Sequence, residues 1–100
     1  MTAIPDRALA DIRRTAQRYG VKRLVLFGSR ARGAHAPKSD IDLAVYGIED
    51  AVEFAGFAEA LEEEAWTLLT FDLINMSAQP SPDLIAEIER DGVVIYEKSS

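Results

Sequence analysis

The run Leu24, Val25, Leu26, Phe27 constrains this chain more than any other stretch, because four consecutive apolar residues closed by Gly28 and Ser29 read as a strand buried on both faces. A strand of that kind belongs inside a layered structure, so segments of helical period are expected around it. Upstream, Leu9, Ile12, Ala16 and Tyr19 recur at spacings of 3, 4 and 3, which predicts an amphipathic helix over residues 5 to 19, with Pro5 in its first turn and Gly20 as its stop. The apolar strand is expected from Val21 to Phe27, and a second from Ile41 to Tyr46.

The pattern then repeats. Asp50 and Glu53 have capping-box spacing ahead of a helix carrying Phe54, Phe57, Ala58, Leu61 and Ala65. The segment from Trp66 to Met76 predicts a third strand, Ser81 and Pro82 the start of a short helix with Leu84, Ile85 and Ile88 that ends at Gly92, and Val93 to Tyr96 a last strand. The alternation indicates an α/β layer structure, expected as one domain over residues 1 to 100.

Composition excludes several classes. With no cysteine, neither a disulfide framework nor a thiolate zinc site is available. The first residues, MTAIPDRALADIRRT, carry charges throughout and lack the apolar centre of a signal peptide. No apolar run approaches the roughly 20 residues a bilayer demands, so a soluble cytoplasmic protein is expected. The net charge of −6 conceals a split: residues 1 to 38 hold nine Lys or Arg against Asp6 and Asp11, giving +7, and residues 39 to 100 hold Arg90 and Lys98 against fifteen carboxylates, giving −13. Overall acidity argues against tracking a nucleic-acid backbone, whereas the basic first segment suits a small polyanion.

That segment contains the chemistry. Gly28 ends a buried strand where a backbone can approach a ligand closely, and Ser29 opens the next turn with N–H groups free, a seat for phosphate flanked by the guanidinium forks of Arg30 and Arg32. A plainer reading makes Ser29 a helix cap and the arginines surface charges. Asp40 and Asp42 are separated by one residue, so a strand presents both on one face, and hard oxygen ligands gathered there suit Mg²⁺. Asp72 sits within the apolar stretch LLTFDLI, where a buried carboxylate requires a charged or metal partner; an arginine salt bridge is its alternative explanation.

Gly28-Ser29, ten intervening residues, Asp40-x-Asp42 and a lone Asp72 in a later strand together resemble the minimal nucleotidyltransferases of the DNA polymerase β superfamily, the MNT-type proteins paired with HEPN toxins. The resemblance covers nearly the whole chain. It implies a nucleotidyltransferase fold, a mixed sheet of about four strands packed with helices. It also implies ATP as substrate held at the Gly28-Ser29 loop, with Mg²⁺, two ions by the resemblance, held by Asp40, Asp42 and Asp72. In that scheme Asp40 and Asp42 serve both ions, Asp72 serves the acceptor hydroxyl through its metal or as its base, and Ser29 with Arg32 holds the β- and γ-phosphates. Arg30 either joins them or braces the loop.

The acceptor implied is a tyrosine of a cognate HEPN toxin, whose modification by AMP neutralises it. The acidic second half could steer a basic partner. Two other readings stand beside it: a small-molecule nucleotidyltransferase of the aminoglycoside-modifying kind, which generally carries an additional substrate domain, and an antitoxin that masks its toxin without chemistry. Elsewhere, His35 and Lys38 read as exposed loop residues, Trp66 as core at a strand entrance, and Glu62 to Glu64 as a solvated helix face.

Overall fold

Proline at position 5 sets the entry to the first helix. In the computed structural model, which describes residues 4–33, 40–65 and 70–99, Pro5 is the N-cap, one residue outside its expected place, and helix α1 spans Asp6–Arg18. Leu9, Ile12 and Ala16 bury its apolar face, and Thr15 is buried beside them because its hydroxyl donates to the Asp11 carbonyl at 3.0 Å. Tyr19 closes the helix and Gly20, at φ 72°, turns the chain toward the sheet.

Strand β1, Arg23–Phe27, buries its last four residues, as the apolar run requires. Val21 and Lys22 fall outside it, although the Lys22 N–H donates to the Tyr46 carbonyl at 2.9 Å and so continues the pairing. A five-residue helix α2, Gly28–Arg32, follows β1 directly. Strand β2, Ile41–Tyr46, returns antiparallel to β1. Helix α3, Ala51–Glu64, opened by Asp50 accepting from the Val52 N–H at 2.8 Å, is the crossover that lets β3, Phe71–Asn75, lie parallel to β2. A 3-10 turn over Met76–Ala78 leads to α4, Pro82–Asp91, whose cap Ser81 accepts from the Leu84 N–H at 3.3 Å, and β4, Val93–Glu97, closes antiparallel to β1. The sheet is therefore mixed, in the order β3-β2-β1-β4.

Helices cover the two faces unequally. Leu24, Leu26, Ile41, Leu43 and Val45 face the larger core, completed by Ile12 of α1 and by Phe57 and Leu61 of α3. Val25, Phe27 and Ala44 point the other way and, among the described residues, share their buried cluster with Ile88 of α4. The thinner side is the one that carries polar strand residues.

One expectation is corrected here. Asp72 is exposed, and its neighbours Phe71, Leu73 and Ile74 are only half-buried. β3 is an edge strand, so its apolar sequence reflects partial cover, and Asp72 needs no buried counter-charge. The expected beginning of that strand at Trp66 falls on residues 66–69, outside the described ones. Among the described residues, no helix is long and apolar enough to cross a membrane.

Candidate active site

Pairing register builds the site. Phe27 lies opposite Asp42 across the antiparallel pair, and Asp42 lies beside Asp72 across the parallel one, so the end of β1 and the starts of β2 and β3 meet in one row. Gly28 is the next residue after that row. Its φ of 75° is a backbone state that L side chains avoid, and a Cβ built on it would fall 2.2 Å from Asp42 Oδ2. The carboxylate thus rests against bare backbone, which accounts for glycine at the strand end.

Asp42 is half-buried, and its carboxyl is pushed up to about 6. Burial is the largest cause; the charges of Asp72 and Asp40, a hydrogen bond with the Asp72 side chain and the charge of Glu87 follow. Two acids side by side across the parallel pair at one end of a sheet form a hard-oxygen donor pair whose repulsion a divalent cation would relieve. The donor chemistry of Asp42 and Asp72 therefore fits Mg²⁺. Asp40 is exposed, just ahead of β2, and its Oδ1 accepts a hydrogen bond from the Thr70 hydroxyl, while the Ile41 N–H donates to the Thr70 carbonyl at 2.9 Å. The charge of Asp40 reaches Asp42 while its side chain is engaged by Thr70, and among the described residues no group of three His, Cys, Asp or Glu side chains is placed to hold a metal ion.

The four residues of the expected phosphate seat separate into two kinds. Gly28 and Arg30 are buried, whereas Ser29 is half-buried and Arg32 exposed. Arg30, at 5% exposure, is fixed within the fold. Arg32 reaches across to α4, where its Nη1 lies 3.6 Å from Asp91 Oδ2. The N-cap of α2, Phe27, has no side chain able to cap its first turn.

Sequence reasoning missed Thr70, Glu87 and Asp91. Thr70 stands two residues before Asp72, a spacing that places both on one side of an extended segment, and this was a usable signal. Glu87 and Asp91 are four apart and share a strip of α4, but only packing against the sheet decides that this strip meets the site. His35, Lys38 and Trp66 lie outside the described residues. Glu62, Glu63 and Glu64 are exposed as expected, with Glu64 paired to Arg18. A groove of about 610 Å³ lined by Lys22, Arg23, Tyr46, Glu97 and Lys98 lies at the opposite end of the strands and holds none of the site residues.

No curated protein matches the sequence. Among solved structures, a toxin-antitoxin with AMP-PNP is similar at 21% identity and a TM-score of 0.72, covering 91% of this chain and 74% of that one. A mutant of the MntA-HpeT toxin-antitoxin is similar at 19% identity and 0.71, with the same coverage of 91% and 74%. A structure described as a minimal nucleotidyltransferase is similar at 26% identity and 0.68, covering 85% of this chain and 86% of that one. These likenesses establish the mixed-sheet nucleotidyltransferase fold. A family model described as polymerase beta, nucleotidyltransferase, matches residues 10–100, and the chain belongs to that nucleotidyltransferase family.

Proposed function

We propose that this chain is an antitoxin of the minimal nucleotidyltransferase kind, which transfers AMP from ATP to a tyrosine hydroxyl of a cognate HEPN toxin in the cytoplasm. The observation that carries this reading is the meeting of Gly28, Asp42 and Asp72 at one end of the sheet, next to the Ser29 and Arg32 loop. Support comes from the relatives in two ways. One similar structure is a toxin-antitoxin with AMP-PNP, an ATP analogue. The MntA-HpeT mutant carries Asp-to-Glu replacements at two positions separated by one residue, the spacing of Asp40 and Asp42 here.

The chemistry follows from the residue types. The acceptor hydroxyl oxygen attacks the α-phosphorus of ATP, a new O–P bond forms, the bond from the α-phosphorus to the bridging oxygen breaks, and pyrophosphate leaves with that electron pair. Asp72 accepts the hydroxyl proton, a role suited to an exposed carboxylate at the rim. The leading N–H groups of α2, the Ser29 hydroxyl and the Arg32 fork bind the β- and γ-phosphates and so hold the leaving group. Arg30, being buried, braces the loop. Asp42 and Asp72, joined by Asp40 once it turns from Thr70, would hold Mg²⁺, which supplies positive charge for the reacting phosphate.

The test uses substoichiometric protein with ATP, Mg²⁺ and the product of the neighbouring gene, followed by intact-mass measurement. Covalent modification predicts many partner molecules silenced per antitoxin, each heavier by one or more adenylyl groups. Neutralisation only at one-to-one stoichiometry, with no mass change and with Asp42→Asn as effective as wild type, would reject transfer in favour of masking.

A further inference from the structure

Asp91 is the last residue of α4, where the unpaired carbonyls of the helix end make a carboxylate locally unfavourable. Neither capping nor core packing calls for an acid there, since the following Gly92 N–H already donates to the Ile88 carbonyl at 2.8 Å. The Asp91 side chain is nonetheless largely covered, at 18% exposure. Among the described residues it has two partners: Arg90, whose Nε lies 3.3 Å from both carboxylate oxygens and whose Nη2 lies 3.1 Å from Oδ2, offsets its charge at the helix end, and Arg32 Nη1, 3.6 Å from Oδ2, ties α4 to the loop after β1. A residue that opposes its own helix while engaging a group of the candidate site is the kind of local conflict that functional placement explains.

We propose that Asp91 is a positioning residue for Arg32, holding its guanidinium over the loop for the phosphates of a nucleoside triphosphate. The inference rests on the nucleotide reading above. Arg32 is 45% exposed and sits on a long flexible stem, so its capture of a phosphate is weakened by the freedom it must lose. Asp91 removes part of that freedom beforehand. Contact through Nη1 leaves the other donors of the fork unused by Asp91, so the acid and a phosphate can share one guanidinium. Restraint and binding are therefore compatible.

The experiment is a double-mutant cycle read by calorimetric titration of ATP in Mg²⁺, with thermal midpoints recorded for each variant. Asp91→Asn should weaken ATP binding about two- to fivefold, the range of exposed charge pairs, and Asp91→Glu should recover most of it. In an Arg32→Gln background, Asp91→Asn should have no further effect. Asp91→Asn binding ATP as wild type does, or weakening it equally when Arg32 is already gone, overturns the positioning role. A wild-type protein that binds none of the four triphosphates overturns the nucleotide reading itself, and this role with it.

Discussion

The carboxylate of Asp42 occupies the space that a side chain at position 28 would fill, with Oδ2 2.2 Å from where a Cβ of Gly28 would be. Gly28 opens α2 directly after β1 and Asp42 lies in β2, and the two are brought together by the pairing of Phe27 with Asp42. Glycine is thus required twice over, by its own φ of 75° and by its neighbour's acid.

Those two requirements can be separated. Gly28→Ala should destabilise the fold by about 1–2 kcal/mol from the left-handed backbone alone, and by more because Asp42 must be displaced. Asp42→Ala removes the second contribution, so Gly28→Ala should cost less in that background. Strict additivity of the two changes in urea denaturation would show that the contact with Asp42 has no energetic weight.

The raised carboxyl of Asp42 gives a pH dependence of definite sign. Its folded value of about 6 lies above the ordinary 3.8, so folding favours the protonated acid. The stability linked to Asp42 is therefore fully present below about pH 3.8 and is lost as pH rises through about 6. In metal-free buffer, Asp42→Asn should gain thermal stability relative to wild type as pH is raised across that window. A difference that stays constant from pH 4 to 7 would contradict the assigned cause.

Magnesium should reverse the penalty. If Asp42 and Asp72 hold the cation, its addition at neutral pH stabilises wild type, by about 2.7 kcal/mol at a hundredfold excess over Kd. Asp72→Asn relieves like-charge repulsion and should be as stable as wild type, or more so, without metal, yet fail to respond to Mg²⁺. A large loss of thermal stability in metal-free Asp72→Asn would point instead to a structural ion pair.

Arg30 and Arg32 should respond in opposite ways. Arg30→Ala removes a guanidinium at 5% exposure together with its packed stem and should cost about 1–3 kcal/mol in denaturation. Arg32→Ala should leave stability within about 0.5 kcal/mol of wild type and weaken ATP binding. Equal stability losses for the two would remove the distinction between brace and ligand.

Much of this was readable beforehand, for local reasons. The apolar run at Leu24–Phe27 marked an interior strand, Asp50 and Ser81 announced their helices by cap chemistry, and the stretch after Asp40 read as the strand that carries Asp42. What stayed hidden depended on partners distant in sequence. Asp72 looked buried because its neighbours are apolar, but sheet order puts β3 at the edge. Thr70 claims Asp40 through a hydrogen bond that no periodicity encodes, and Asp91 reaches Arg32 only because α4 lies across the thinner face.

The order in which the chain emerges now matters. β1 and β2 are joined by residues 28–40 and can pair as soon as Tyr46 is made, which sets Asp42 against Gly28 early. Asp72 comes 30 residues later, beyond α3, and its parallel pairing must close that long connection, the kind of non-local step that slows folding. A nascent or partly unfolded chain therefore carries the glycine-serine loop with Asp42 beside it and without Asp72. The repelling pair of carboxylates is imposed only when the edge strand docks, so whatever this site does, only a finished sheet can do it.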